Sequence, residues 1–138
     1  LVLDVAHNPH SVAALTANLD AMGFFPTTHA VFGAMADKDL APMLPRIGPI
    51  VDRWYFCDLP TPRAESAAAL QQKWNALQMV AGGRREVHCS THANPADALQ
   101  AALVQADPAD RIVVFGSFYT VGGVLLDGMR RLQAKHLA

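Results

Sequence analysis

Two side chains that could do chemistry follow the first apolar run of the chain, in "LVLDVAHNPHSV" (residues 1–12). Asp4 ends the run, and His7 stands three residues later, directly before Asn-Pro. A carboxylate at the end of a buried strand is costly unless a partner compensates it. In open α/β sheets this edge, beside the helix N-termini, is where ligands bind. The pair therefore predicts a ligand contact. The alternative is that Asp4 caps the loop and His7 is an ordinary loop histidine.

The dipeptide after His7 has a structural explanation. Asn8 can cap the free N–H groups of a helix, and Pro9 loses no hydrogen bond at the first helical position. The chain repeats this pattern in "THANPADAL", where Asn94 and Pro95 open another helix and Asp97 stands at its third position. The repetition indicates that Asn-Pro alone marks the start of a helix, so all four residues are predicted to be structural.

Two cations follow later strands. In "FGAMADKDLA", Asp37 is a candidate N-cap, which puts Lys38 in a first helical turn. In "LPTPRAES", Thr61 and Pro62 favour a helix start, which puts Arg63 in the same position. A cation there opposes the helix dipole, so an anionic partner would explain it better. The alternative is a solvated side chain or a salt bridge to a neighbour.

The last strand ends in "VVFGSFYTVGG". Ser117 follows Gly116 there, so its hydroxyl is predicted to face the same crevice as Asp4 and His7. The segment does not match a G-x-S-x-G nucleophile elbow. Gly122 and Gly123 lie inside a helical pattern and favour close helix packing.

Several functions are disfavoured by what the sequence does not contain. It has no GxxxxGK[ST], GxGxxG or HExxH motif, and its histidines and two cysteines show no zinc-ligand spacing, so no metal site is predicted. The net charge of −1 gives no reason to expect nucleic acid or an anionic membrane as partner. No apolar stretch approaches the roughly 18 residues of a membrane span. A cytoplasmic monomer with reduced thiols is expected.

Five β-rich runs alternate with helical patterns, and these elements must position the side chains above. The runs cover 1–6, 29–35, 53–59, 85–90 and 111–117, and the helical patterns cover 9–22, 38–47, 62–79, 95–106 and 119–134. Pro42 and Pro45 should kink or shorten the second helix. This alternation predicts an α/β, three-layer, Rossmann-like domain, with a mostly parallel sheet of about five strands and helices on both faces.

Residues 1–138 are expected to form one domain. The chain opens inside an apolar run without an initiator Met, which predicts a C-terminal piece of a longer protein.

The quoted motifs carry a family resemblance. "LDVAHNPHSVAAL" resembles the D-x-A-H-N-P segment of the Mur ligase superfamily, in its folylpolyglutamate synthase branch. "VFGAMADKD", "WYFCDLPTPRA" and "VVFGSFYTVGG" are similar to segments found in the same order in that branch, above all in the bacterial bifunctional dihydrofolate synthases/folylpolyglutamate synthases. The resemblance covers nearly the whole chain.

The resemblance implies a Mur ligase-type C-terminal domain, with an antiparallel strand that would precede Leu1. It implies an ATP-dependent ligase of folate biosynthesis that joins L-glutamate to dihydropteroate or a folate. The P-loop and most Mg²⁺ ligands would lie in a missing N-terminal ATPase domain, so this chain alone should be inactive. Asp4 and His7 would contact the nucleotide and Ser117 would line the amino-acid site. Lys38 and Arg63 are candidate anion contacts.

Two alternatives stay open. A cell-wall Mur ligase, which acts on a UDP-muramyl precursor, has the same architecture, although "DKD" and "GSFYTVGG" resemble the folate branch. A non-catalytic α/β binding module is the other alternative, and its mark would be a natural chain that begins near Leu1.

Overall fold

The structure is a computed structural model that describes residues 1–80 and 87–128. Its strands are β1 (Val2–Leu3), β2 (Thr28–Phe32), β3 (Arg53–Cys57), β4 (His88–His92) and β5 (Arg111–Phe115). Its helices are α1 (Pro9–Ala21), α2 (Leu44–Ile47), α3 (Ala67–Val80), α4 (Pro95–Gln105) and α5 (Phe118–Gly123). A 3-10 turn (Gly48–Ile50) follows α2, and a π-helical turn (Val124–Gly128) follows α5. The predicted alternation of strands and helices is confirmed.

The five strands form one parallel sheet in the order β1-β5-β2-β3-β4. The last strand in sequence thus lies between the first two. All residues of β2 and β5 are buried, as expected for central strands that are covered on both faces. β4 is polar and partly exposed because it lies at the edge of the sheet. The antiparallel strand implied by the family resemblance would fall before Leu1, outside this sequence.

Helices cover both faces of the sheet. Val12 of α1 and Trp74 of α3 belong to one buried cluster, together with residues of α2. Leu99 of α4 and Val121 of α5 belong to a second cluster on the other face. This division follows from right-handed crossovers, because the chain moves in one direction from β1 to β4 and then returns through α4 to β5. The predicted three-layer, Rossmann-like fold is confirmed.

The second helix differs from the prediction of 38–47. It covers only Leu44–Ile47, and the residues before it form turns and loops. Pro42 and Pro45 account for this shortening, as expected. Asp37 therefore caps no helix, and Lys38 lies in a turn in which its N–H donates to the carbonyl of Met35 at 3.2 Å. The placement of Lys38 at a helix N-terminus was wrong.

The third helix begins at Ala67, not at residue 62. The intervening residues pair instead with the loop after β2. The N–H of Ala36 donates to the carbonyl of Arg63 at 2.8 Å, and the N–H of Glu65 donates to the carbonyl of Ala34 at 2.9 Å. Arg63 consequently lies in a turn, and its predicted position in a first helical turn was also wrong.

Two further elements are shifted. β4 covers His88–His92 rather than 85–90, and the first residues of that prediction lie outside the described part of the chain. α5 begins at Phe118, one residue early, and the predicted helical residues beyond 128 also lie outside the described part. No helix within residues 1–80 and 87–128 is long and apolar enough to cross a membrane.

A polar network ties the amino ends of β2, β3 and β5 together. The buried His29 ring lies 2.9 Å from the Tyr55 hydroxyl through Nδ1, and 3.0 Å from Asp110 Oδ2 through Nε2. The hydrogen bond from His29 lowers the pKa of the Asp110 carboxyl, and burial raises the pKa of Tyr55. The buried Arg111 guanidinium donates to Thr28 Oγ1 beside it. This network stabilises the end of the sheet opposite the predicted site.

Candidate functional site at the carboxyl edge of the sheet

All five predicted ligand-contacting residues lie in loops at the carboxyl ends of the strands. Asp4 and His7 follow β1, Ser117 follows β5, Lys38 follows β2, and Arg63 follows β3. These four strands are consecutive neighbours in the sheet. With strands about 4.8 Å apart, β1 and β3 are separated by about 14 Å. The helices that follow β1 and β5 lie on opposite faces, and such a point in an α/β sheet opens a crevice for ligands.

Asp4 is half-buried, and its carboxylate is only partly used by the protein. Its Oδ1 accepts a hydrogen bond from the N–H of Ala6 at 2.8 Å, so the loop-capping alternative is confirmed for this oxygen. Its own N–H donates to the carbonyl of Val114 at 2.9 Å, which fixes Asp4 beside β5. Among the described residues, Oδ2 has no hydrogen-bond partner. Capping therefore leaves one carboxylate oxygen available to a ligand.

The His7 ring is held in one orientation. Its Nδ1 lies 2.8 Å from the carbonyl of Val5, and a carbonyl only accepts, so Nδ1 carries the hydrogen. In the neutral ring, Nε2 then presents its lone pair. The backbone N–H of His7 donates to Ser11 Oγ at 3.1 Å, which anchors the residue to α1. The neutral ring would therefore present a hydrogen-bond acceptor in a fixed position.

Both Asn-Pro pairs open helices, as predicted. Asn8 Oδ1 accepts from the N–H of Ser11 at 2.8 Å, and Ser11 Oγ accepts from the N–H of Asn8 at 3.2 Å, which completes a capping box. Asn94 Oδ1 accepts from the N–H of Asp97 at 2.8 Å. Pro9 and Pro95 stand at the first helical positions. The structural role of these residues is confirmed.

Ser117 is buried and caps α5. Its Oγ accepts from the N–H of Thr120 at 3.1 Å and lies 3.1 Å from Thr120 Oγ1. The Thr120 hydroxyl donates to the carbonyl of Gly33 at 2.8 Å, so the Ser117 hydroxyl must be the donor to Thr120 Oγ1. One lone pair on Ser117 Oγ is left. A ligand contact by Ser117 stays a prediction.

Two glycines bring the loops after β1, β5 and β2 into contact. The N–H of Gly116 donates to the carbonyl of Ala6 at 2.9 Å. The backbone of Gly116 has φ of +119°, and a Cβ there would collide with the Gly33 carbonyl oxygen. Only glycine allows this approach without strain. The three loops therefore behave as one connected unit.

The two cations keep their place at this edge, although the helix-dipole argument for them is lost. Lys38 is half-buried between the exposed Asp37 and Asp39, and Arg63 is exposed. In the part of the chain that the structure describes, neither cation forms a salt bridge. Contacts of both with an anion stay predictions.

Sequence reasoning missed two exposed aromatic residues at the start of α5, of which Phe118 lies beside His7. Phe118 is 71% exposed and Tyr119 is 42% exposed. The Phe118 ring centroid lies 6.5 Å from that of His7, and the two rings are tilted by 41°. The sequence does place these two aromatic residues directly after a capping Ser at the end of a strand. That position was the available signal, because residues in the first turn of a helix at this edge are not buried by the sheet.

Other chemistry is not supported in the described residues. Burial raises the pKa of the Cys57 thiol to about 12, and that of Cys89 to about 11, so neither forms the reactive thiolate near neutral pH. Within residues 1–80 and 87–128, no group of three or more His, Cys, Asp or Glu side chains could hold a metal ion.

A groove of about 660 Å³ lies away from this edge, between β4 and α4, and its lining includes Arg53, Tyr55, Ser90, His92 and Gln100. None of the predicted site residues lines it. Its polar wall is the ordinary solvated face of an edge strand. The candidate site is therefore assigned from the convergence of loops at the carboxyl edge and not from cavity volume.

Comparisons with known proteins show the family of the chain. A family model described as "Mur ligase, glutamate ligase domain" matches residues 1–118. The dihydrofolate synthase/folylpolyglutamate synthase of Escherichia coli is 34% identical over 125 residues, which cover 91% of this chain and 27% of that enzyme. The structure of E. coli FolC in complex with ADP superposes with a TM-score of 0.74 at 32% identity, and covers 98% of this chain and 29% of that one.

A second solved structure contains further ligands. It is a bifunctional folylpolyglutamate synthase/dihydrofolate synthase with Mn, AMPPNP and L-glutamate bound, with a TM-score of 0.74 and 32% identity over 95% of this chain and 29% of that one. The chain thus spans less than a third of the length of these relatives.

Proposed function

The chain belongs to the Mur ligase family, as its glutamate ligase domain, and from this premise we propose that it is part of an ATP-dependent ligase that adds L-glutamate to dihydropteroate, to folates, or to both. One observation carries the proposal for this chain. The Asp4–His7 loop is fixed against the Ser117 loop at the carboxyl edge of the sheet, through the hydrogen bond from Gly116 to Ala6.

The proposed reaction is a phosphoryl transfer followed by an acyl transfer. The γ-phosphoryl group of ATP passes to the acceptor's carboxylate, which gives ADP and an acyl phosphate. The amine of glutamate then attacks the acyl carbon, phosphate leaves, and a new amide forms. Catalysis of this kind rests on positioning and on stabilisation of phosphoryl charge. We assign this chain the role of closing over reactants that the rest of the protein holds.

Asp4 and His7 are proposed to contact the nucleotide. A carboxylate repels phosphate groups but accepts hydrogen bonds from hydroxyls, so Asp4 Oδ2 suits the ribose rather than the triphosphate. His7 Nε2, a hydrogen-bond acceptor in the neutral ring, suits the same sugar-and-base end. This loop therefore orients the nucleotide and leaves the phosphates to cationic groups.

The remaining predicted residues fit the anionic end of the reactants. Lys38 and Arg63 lie on the loops after β2 and β3, the far side of the edge from Asp4. A guanidinium binds carboxylates and phosphates with two parallel hydrogen bonds, and an ammonium acts as a point charge. We propose them, with Ser117, as contacts to glutamate or to the transferred phosphoryl group.

Mg²⁺ is proposed to be held outside the described part of this chain. No cluster of three or more His, Cys, Asp or Glu side chains that could hold a metal ion is present in the described residues. When bound, the ion would neutralise phosphate charge. Its ligands are proposed to lie mainly in the N-terminal ATPase domain of the full-length protein.

The proposal is tested by the acceptor that the full-length protein uses. ADP release is measured with Mg-ATP and glutamate in the presence of 7,8-dihydropteroate, a reduced folate, or a UDP-muramyl precursor. Release with dihydropteroate or the folate is expected. Release with the muramyl precursor alone would instead assign the protein to the cell-wall branch, and no release with any acceptor would refute the ligase assignment.

The 138-residue chain provides the matched control. It carries no P-loop motif, so the same assay is expected to give no ADP release above the blank. Steady ADP release by this chain would contradict the proposal that the N-terminal domain is needed for ATP hydrolysis.

A further inference from the structure

One hydroxyl connects the loop that carries His7 to the helix that follows it. Ser11, the third residue of α1, accepts hydrogen bonds from the backbone N–H groups of His7, at 3.1 Å, and Asn8, at 3.2 Å. Its own hydrogen goes to Asn8, whose carbonyl oxygen and Oδ1 lie 3.2 and 3.0 Å away. A hydroxyl offers one hydrogen and two lone pairs. Ser11 therefore uses all of them on the two residues that precede the helix.

The second Asn-Pro helix start shows that a cap does not require this arrangement. In α4 the corresponding third residue is Asp97, and its Oδ2 accepts from the Asn94 side-chain amide at 3.1 Å, within the cap itself. A capping box needs only one acceptor, for the N–H of the cap residue. The bond from the His7 N–H to Ser11 lies one residue further upstream, so it goes beyond helix capping.

His7 consequently has two separate anchors. Its ring Nδ1 lies 2.8 Å from the carbonyl of Val5, which sets the orientation of the ring. Its backbone is set by the hydrogen bond to Ser11. The middle of the same loop is tied to the sheet, because the N–H of Gly116 donates to the carbonyl of Ala6 at 2.9 Å. Ser11 thus holds the end of the loop at which His7 stands.

The neutral side chain at this position also suits an anionic ligand. Acidic residues are favoured in the first turn of a helix because of the helix dipole. α4 has Asp97 there, whereas α1 has no acidic residue in its first turn. A carboxylate in place of the Ser11 hydroxyl would add a negative charge close to His7, where we propose that a nucleotide binds. The hydroxyl anchors His7 without that charge.

We propose that Ser11 is a positioning residue that holds His7 in place for its contact with the nucleotide. The inference rests on the proposed function, because it takes the ligand of His7 to be ATP. Ser11 itself contacts no substrate and acts only through His7. Loss of its hydroxyl should therefore weaken nucleotide binding by about fivefold, as expected for the loss of one hydrogen bond.

The test is nucleotide binding by the full-length protein, measured by calorimetry with ADP and, separately, with inorganic triphosphate. Ser11→Ala is expected to weaken ADP binding about fivefold, while Ser11→Thr, which keeps the hydroxyl, should retain it. Triphosphate binding should be unchanged in both variants, because triphosphate lacks the sugar and base that His7 is proposed to contact. Asp97→Ala is the matched control, since it removes the third side chain of α4 and should leave both affinities unchanged.

A double-mutant cycle separates positioning of His7 from a general loss of structure. His7→Ala alone should weaken ADP binding, and adding Ser11→Ala to it should have no further effect, because no ring is left to hold. Additive losses would overturn the inference. Unchanged ADP affinity in Ser11→Ala, equal losses in Ser11→Ala and Ser11→Thr, or an equal loss for ADP and triphosphate would overturn it as well.

Failure of this inference is distinguishable from failure of the proposed function. If the unaltered protein releases ADP with folates but Ser11→Ala binds ADP normally, the proposed function stands and the positioning role fails. If ADP binding depends on Ser11 through His7 but no folate acceptor is used, the positioning role stands and the proposed acceptor fails.

Discussion

Gly116 is the position at which one methyl group should damage both the fold and the candidate site. Its φ of +119° lies in a region that L side chains rarely adopt, and occupying it with alanine costs about 1–3 kcal/mol. The added Cβ would also meet the Gly33 carbonyl oxygen and lie 3.0 Å from two carbons of the Phe32 ring. Relieving such a clash in a packed core costs about a further 1–3 kcal/mol.

The two contributions together predict that Gly116→Ala lowers the free energy of unfolding by about 2–6 kcal/mol. Urea unfolding of the 138-residue chain, followed by circular dichroism, measures this directly. With an m-value of about 2 kcal/mol per molar urea, the midpoint should fall by about 2 M. Because the total stability of a domain is about 5–15 kcal/mol, the variant should be folded but weakened, or largely unfolded.

Gly122→Ala is the matched control. Gly122 lies inside α5, and a Cβ there would meet no atom within 4 Å. Alanine is favoured over glycine in a helix by about 0.5–1 kcal/mol, so this variant should unfold at a slightly higher urea concentration. Equal midpoints for the two variants, or a loss below about 1 kcal/mol at Gly116, would refute the close approach of the two loops.

Three further predictions concern separate parts of the molecule. Asn8→Ala and Asn94→Ala should each lower the free energy of unfolding by about 1 kcal/mol in urea titrations, but only Asn8→Ala should reduce ATP turnover of the full-length protein, and a similar reduction by both would contradict this. The His29 hydrogen bond holds the pKa of Asp110 below its usual value of 3.8, so its stabilisation is present above about pH 4 and is lost as the pH falls further. The urea midpoint should therefore drop less on acidification in Asp110→Asn than in the unaltered chain, and an equal drop would argue against this hydrogen bond. Lys38→Met should raise the KM of the full-length protein for glutamate more than its KM for ATP. Equal rises of the two KM values would contradict a contact between Lys38 and glutamate.

The parts of the fold that local chemistry determines were predictable from the sequence. β5 is nearly continuous in apolar residues because it is covered on both faces, and this pattern is visible without a structure. The two Asn-Pro helix starts were equally clear, because a cap and its partner lie within three residues of each other.

The parts that failed depend on contacts between distant segments. Thr61 and Pro62 carry a sound helix-start signal, but the loop after β2 pairs with residues 63–65 and delays α3 to Ala67. Local helix propensity does not reveal such pairing between distant backbone segments. The exposure of Phe118 was hidden for the same reason, because it depends on how the loop after β5 sits against the loop after β1 and not on the residue itself.

The most direct test of the whole account is the effect of His7 on ATP use in the full-length protein. His7→Ala removes the fixed ring at the carboxyl edge, while His10→Ala removes an exposed histidine three residues away, within α1. In steady-state assays of ADP release, His7→Ala is predicted to lower kcat/KM for ATP by about tenfold or more, the worth of one good hydrogen bond, and His10→Ala should change it less than about twofold. Equal values for the two variants would contradict a nucleotide contact by this domain.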